Sequence, residues 1–185
     1  MSGHSKWSQI KRQKGVSDAA KSRTFSKFAR EITMESKKAA GNISSPTLAA
    51  VIARAKAVNM PKDNIERAVA KGISKDSGDL EQVVYEFYGP GGVAIITRAV
   101  TDSRNRSTQE IKSLLAKNEY ELGVPGSALW AFSKTSDGRF VANEPHIEIS
   151  GDDETRLSSL LSHLDDLDDI QEICTNARGY ENTGD

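Results

Sequence analysis

The 185-residue sequence contains one cysteine, Cys174. A single thiol closes no intramolecular disulfide and cannot build a clustered-thiol zinc site. Lying in the apolar stretch 170–174, it reads as a small buried strand residue. Histidine is also scarce: His4, His146 and His163 fall in three separate segments, none at metal-ligand spacing from another histidine or from the cysteine. Without converging groups of tuned pKa there is no catalytic constellation, so the expectation is no enzyme, no metal, no cofactor and no small-molecule substrate. No run approaches the ~18 apolar residues that a membrane span requires. The opening MSGHSKWSQIKRQKG has no apolar secretory core. A soluble, cytoplasmic chain is therefore expected, with motifs starting at Met1 and leaving no removable leader.

What is present is ordinary in amount but uneven in place. Hydrophobic residues at 37% and charged residues at 28% suit a folded chain, long enough for two compact units. Residues 1–77 hold 16 Lys/Arg against 6 Asp/Glu, whereas residues 78–185 hold 9 against 20, so the formal charge of −1 conceals two halves of opposite sign. Such asymmetry points towards nucleic acid, because each cation that meets a phosphate releases counterions without base-specific geometry. The candidate contacts are Lys6, Lys11, Arg12, Lys14, Lys21, Arg23, Lys27 and Arg30. Eight phosphates on duplex DNA would give log affinity a slope of about −7 against log salt. Trp7 either stacks on an exposed base or anchors the N-terminal arm in the core. Two other readings fit the same charges: a solvated helix face, or a basic unit docked on the acidic one so that the chain neutralises itself.

Periodicity predicts the elements. The first fifteen residues lack sustained apolar spacing and read as an irregular arm. From Asp18, the residues Phe25, Phe28, Ala29 and Ile32 recur at helical spacing until Gly41-Asn42. A second helix is expected with Ser45 as N-cap, Pro46 at its first position and Leu48, Val51, Ile52, Ala55 and Val58 facing the core. A third should run from Pro61, bury Ile65, Ala68 and Val69, and stop at Gly72. After a polar boundary at 74–79, residues 82–88 alternate as a strand. Gly89-Pro90-Gly91-Gly92 leads into a second strand over 93–101 and so reads as a turn, since a phosphate loop would lead into a helix. Ser107-Thr108-Gln109-Glu110 has the spacing of a capping box, opening a helix that buries Ile111, Leu114 and Leu115. Residues 127–133 read as a strand with Leu129 and Trp130 on opposite faces, and 139–141 and 147–149 as weaker strands. Leu157, Leu160, Leu161, Leu164 and Leu167 stripe a helix that closes at the acidic tract 165–169, and 170–175 returns as a strand. The tract lacks the spaced oxygens of a calcium loop. The predicted fold is α+β: an N-terminal three-helix domain over 1–77, then a mostly antiparallel sheet domain over 78–177 with two helices covering one face, and a frayed tail over 178–185. Before the capping box, Arg104, Asn105 and Arg106 are either a phosphate- or partner-binding point or solvated turn residues.

Long ordered stretches carry a resemblance. They include MSGHSKW at 1–7, IKRQK at 10–14, Phe25-Ser26-Lys27, Arg30-Glu31-Ile32, NMPKDNIERA at 59–68, YGPGGVA at 88–94, Thr101-Asp102, Arg104-Asn105-Arg106 and LDDLDDIQEI at 164–173. Together they resemble the YebC/PmpR family over 1–133 and 145–177. The resemblance implies a transcriptional regulator that binds DNA. It also implies a role in translation, because the mitochondrial relatives activate synthesis of cytochrome c oxidase and bacterial relatives act on ribosomes, which would make ribosomal RNA the target. Family members carry a third domain inserted after the segment matching Trp130-Ala131-Phe132. Here about residues 133–145 occupy that place, so a shortened form is expected. A different class of function stays open: a protein-interaction module whose acidic half binds a basic partner.

Overall fold

A computed structural model describes residues 6, 9, 17–74, 78–136 and 138–181 of the chain. The first long helix, α1 (Asp18–Lys38), starts where the Ser17 hydroxyl accepts a hydrogen bond from the Ala20 amide at 3.2 Å. Asp18 lies in its first turn and Lys37 and Lys38 in its last, each at the end of the helix dipole that favours its sign. Just past its end Ala40 takes a left-handed φ of 49°, which turns the Gly41 amide back to the Ser36 carbonyl at 2.9 Å. Lys6 and Gln9 are helical too, so the expected irregular arm is corrected at those positions. Helices α2 (Pro46–Ala57) and α3 (Lys62–Ile73) fold back on α1. Ile32, Leu48, Val51, Ala55, Met60, Ile65 and Ala68 form their shared core, each large side chain contributing about 1.5–3 kcal/mol by leaving water. Val58 is exposed, and the Ser45 side chain makes no cap bond although Pro46 opens α2 as predicted.

Gly72 does not stop α3. It lies inside the helix where α3 crosses α1, and a Cβ there would stand 2.5 Å from the Thr33 carbonyl oxygen. The same crossing is fastened by the Thr33 hydroxyl donating to Ala68 O and the Ser36 hydroxyl donating to Val69 O. Small size, not backbone freedom, is what this position requires.

Strands β1 (Glu81–Tyr88) and β2 (Ala94–Thr101) form an antiparallel hairpin, and β5 (Ile170–Thr175) pairs antiparallel on the other side of β2. Gly91 and Gly92, both at positive φ, shape the turn between β1 and β2. On one sheet face Val83, Tyr85, Phe87, Ile95 and Ile173 meet Ile111 and Leu115 of α4 (Arg104–Lys117) and Leu157, Leu160, Leu161 and Leu164 of α5 (Gly151–Asp165). The chain is thus α+β, a helical part followed by an antiparallel sheet with two helices on one face. The opposite face is covered as well. Ala94, Ile96 and Cys174 pack there against Ala131, Phe132 and Phe140, the last two from a small hairpin of β3 (Phe132–Lys134) and β4 (Phe140–Ala142). With both faces covered, β2 is buried along its whole length, which explains its continuous apolar character.

Three predicted elements are corrected, one of them 147–149, which is no strand because Ile147 makes only an isolated bridge to Ala177. Residues 127–131 are not strand: Leu129–Ala131 is a turn of 3-10 helix, and Leu129 and Trp130 are both exposed. Glu86 of β1 decides this, because its buried carboxylate accepts the amides of Gly126, Ala128 and Leu129 at 2.7–2.9 Å and curls the segment around itself. The helix assigned to a capping box at Ser107 begins four residues earlier, at Arg104 with Ser103 as N-cap. Ser107 is buried inside it and donates to Asp169 at 2.5 Å.

Candidate nucleic-acid interface

The helical part meets the sheet through paired charge. Glu31 of α1 accepts from Arg54 of α2 at 2.9 Å and from Arg98 of β2 at 3.0 Å through one oxygen, and Arg98 also donates to Glu172 of β5 at 3.0 Å. Glu172 accepts in addition from the Phe140 amide of β4. The side chain of Arg98 is only 7% exposed. Burial alone would weaken its charge, but the carboxylates of Glu31 and Glu172 reverse that and push its pKa upward. This chain of ions joins α1, α2, β2, β4 and β5.

Beside it, α1 presents Arg23, Lys27 and Arg30 at spacings of four and three, which places all three on one helical face. They face the acidic tract where α5 ends and β5 begins. Arg23 pairs with Asp166 at 3.3 Å, Lys27 with Asp165 at 3.3 Å, and Arg30 with Asp169. The Lys27 ammonium also donates to the Asp165 backbone carbonyl, at the negative end of the α5 dipole. Asp169 is 5% exposed in its side chain and is the hub. Burial would raise its pKa, but bonds from Ser107, Arg106 and Thr101 and the nearby Arg30 charge outweigh this and hold it below the usual carboxylate range.

Of the predicted contacts, Lys6 pairs with Glu154, and its hydrogen bond is the main reason the Glu154 pKa is lowered. Trp7, Lys11, Arg12 and Lys14 lie outside the described residues. Lys21 is exposed beside Asp18, at 3.8 Å. Lys6, Arg23, Lys27 and Arg30 therefore spend their charge on the chain's own second half, the self-neutralising alternative posed by the sequence. Arg104, Asn105 and Arg106 form the first turn of α4, not a loop. Arg104 stands 4.0 Å from Glu81, Asn105 is exposed, and Arg106 bonds Asp169 at 3.0 Å and Asp102 at 2.9 Å. Arg30 and Arg106, read from separate motifs, thus meet on one carboxylate.

They meet at the edge of an open cleft of about 530 Å³ between α1, α3 and the end of β2. Phe25, Ala29, Met60, Ala68 and Leu80 give it apolar surface, and Arg30, Arg67 and Lys71 give it positive charge against the single carboxylate of Asp102. Arg67 and Lys71 are exposed one helical turn apart and have no carboxylate partner among the described residues. Sequence reasoning assigned no role to either. The available signal was their i, i+4 spacing, which puts both on one side of a helix that buries Ile65, Ala68 and Gly72. Among the described residues no helix is long and apolar enough to cross a membrane, and no three His, Cys, Asp or Glu side chains cluster as metal ligands.

Comparison with known proteins accounts for most of the chain. Residues 5–75 match the TACO1/YebC protein N-terminal domain, and residues 80–145 match the TACO1/YebC second and third domain. A probable transcriptional regulatory protein of Borreliella afzelii is 48% identical over 134 residues, covering 71% of this chain and 55% of that protein. One of Syntrophobacter fumaroxidans is 40% identical over 184 residues, 98% of this chain and 73% of its own length. The chain thus spans about half the length of the Borreliella relative. A crystal structure of a conserved hypothetical protein from Aquifex aeolicus superposes with a TM-score of 0.78 at 25% identity, covering 87% of this chain and 91% of that one. The helical part, the sheet part and the sequence shared with these relatives agree, and the chain belongs to the TACO1/YebC family.

Proposed function

We propose that the chain is a nucleic-acid-binding regulator of gene expression, a binding protein and not an enzyme, acting as a transcriptional regulator on DNA. The observation that carries this reading is the convergence of Arg30, Arg67 and Lys71 around one open cleft, with Arg67 and Lys71 free of carboxylate partners among the described residues. Cations so exposed gain most from phosphate, because no internal pair has to be broken first. The regulatory role is supported by the relatives' name, probable transcriptional regulatory protein. The alternative of an acidic docking module is less favoured, since Asp165, Asp166 and Asp169 already face Arg23, Lys27 and Arg30.

The test is the affinity for a labelled oligonucleotide duplex between about 50 and 200 mM salt. Affinity should fall steeply and linearly on logarithmic axes. Replacing both Arg67 and Lys71 by Gln should flatten the slope by about 2, one released counterion near each lost phosphate contact. An affinity indifferent to salt would end this reading. A ribosomal RNA target has the same backbone chemistry, and RNA and DNA duplexes compared at one salt concentration separate the two.

A further inference from the structure

We infer that the cleft between α1 and α3 is a subsite for one unstacked nucleotide, so that the chain prefers single-stranded or looped-out polynucleotide to continuous duplex. This rests on the nucleic-acid reading above and adds to it a substrate form. The volume of about 530 Å³ lies within the range of sites that enclose a small molecule, which suits one nucleotide and excludes a double helix. Its wall is chemically divided. Phe25, half-buried, supplies an aromatic surface, the kind on which the face of any base can lie, and Met60 belongs to the core that the cleft adjoins. Asn64 lies between this wall and the cations. Its carbonyl oxygen accepts from Arg67, which leaves the amide nitrogen, with no partner among the described residues, to donate to a base edge.

The charge is placed for one phosphate. Arg67 and Lys71 stand at the cleft without carboxylate partners among the described residues, and Arg30 lies across from them, held by Asp169. The one lining carboxylate, Asp102, is held by Arg106 at 2.9 Å, so its repulsion of an anion is reduced. A base stacked inside a duplex has both faces covered and cannot reach Phe25. Only a nucleotide already outside a stack, or cheaply extruded from one, can offer base and phosphate together. An acidic peptide would satisfy the cations but has no flat ring to lie against Phe25.

The test compares three probes at matched salt: a single strand, a duplex carrying one looped-out nucleotide, and the same duplex fully paired, each made as RNA and as DNA. The first two should bind roughly tenfold tighter than the paired duplex, in line with the stacking of one base on an aromatic side chain. The backbone that shows the advantage names the natural source. Ser26 is exposed and lines the cleft, so Ser26→Trp fills it from the surface without entering the core. That variant should melt like the wild type and lose the advantage. Equal affinity for all three probes, or an advantage that survives Ser26→Trp, overturns the subsite. If no probe binds, the nucleic-acid reading itself fails, which is a different result.

Discussion

Two rows of cations on neighbouring helices, alike in sequence, have opposite fates in the fold. On α1, Arg23, Lys27 and Arg30 lie against the acidic tract of the sheet part, and the Lys27 side chain is only 14% exposed. On α3, Arg67 and Lys71 stand beside an open cleft with no carboxylate paired to them among the described residues. The first row holds the molecule together, and the second is available to a ligand. A count of positive charge cannot separate these populations, because a pair forms only when distant segments bring opposite groups within a few ångströms. The steep slope of about −7 expected from eight cations therefore overstates what α1 can give. Among the described residues, Lys6, Arg23, Lys27 and Arg30 already pair with the chain's second half, and Lys21 lies beside Asp18 of its own helix.

The comparison breaks most forcefully at its foundation. Arg98→Met should cost about 3–5 kcal/mol in urea denaturation, because it leaves Glu31 and Glu172 buried without their shared cation. A loss near zero would mean that the two parts are not joined by this ion chain. Gly72→Val should cost about 1–3 kcal/mol by forcing α3 away from Thr33, and it should widen the cleft that α1 and α3 enclose. Unchanged stability there would sink the close-packing account of Gly72.

The two rows themselves give smaller effects of opposite kind. Arg23→Gln with Lys27→Gln should lower stability by roughly 0.5–1 kcal/mol and leave the salt slope of binding unchanged. Arg67→Gln with Lys71→Gln should do the reverse. Should the first pair flatten the slope, phosphate must be displacing Asp165 and Asp166, and the division between the rows would be only a property of the free chain. Acid offers the finest adjustment. The Asp169 pKa is depressed in the folded chain, so its contribution is fully present above the ordinary carboxylate value near 4 and is lost as pH falls through the lowered one. Asp169→Asn should remove that part of the acid sensitivity. An unfolding profile between neutral pH and strong acid that is identical to wild type would show that Asp169 does not tie the two parts together.

Much of the architecture was legible because it is periodic. Phe25 to Ile32, Leu157 to Leu164 and the alternation in β1 each needed only local spacing, and the structure places these elements with their ends close to the expected residues. The misreadings share one cause. Ser107 looked like a cap, but its hydroxyl is taken by Asp169, which lies 62 residues away. Gly72 looked like a stop, but its neighbour is Thr33 on another helix. Glu86 was one more position in an alternating strand, but it holds three amides of a segment that then could not be strand. In each case a contact with a distant segment, polar for Ser107 and Glu86 and steric for Gly72, overrode a plausible local motif. The candidate site was legible only in pieces. Arg30 and Arg106 were named from separate motifs, whereas Arg67 and Lys71 were not, since nothing local distinguishes a helical cation beside a cleft from a solvated one.

The amino-acid order by itself determined where the periodic helices and strands form, the division of charge between the two halves, and the family to which the chain belongs. Those properties come from spacing and from runs of matched residues, which need no folded neighbour. Only the tertiary structure decided which cations are neutralised, that two arginines share Asp169, and that a cleft opens between α1 and α3. The physical reason is distance: charge interactions fade within about 10 Å in ordinary salt, and which groups come that close is fixed by packing, not by position along the chain.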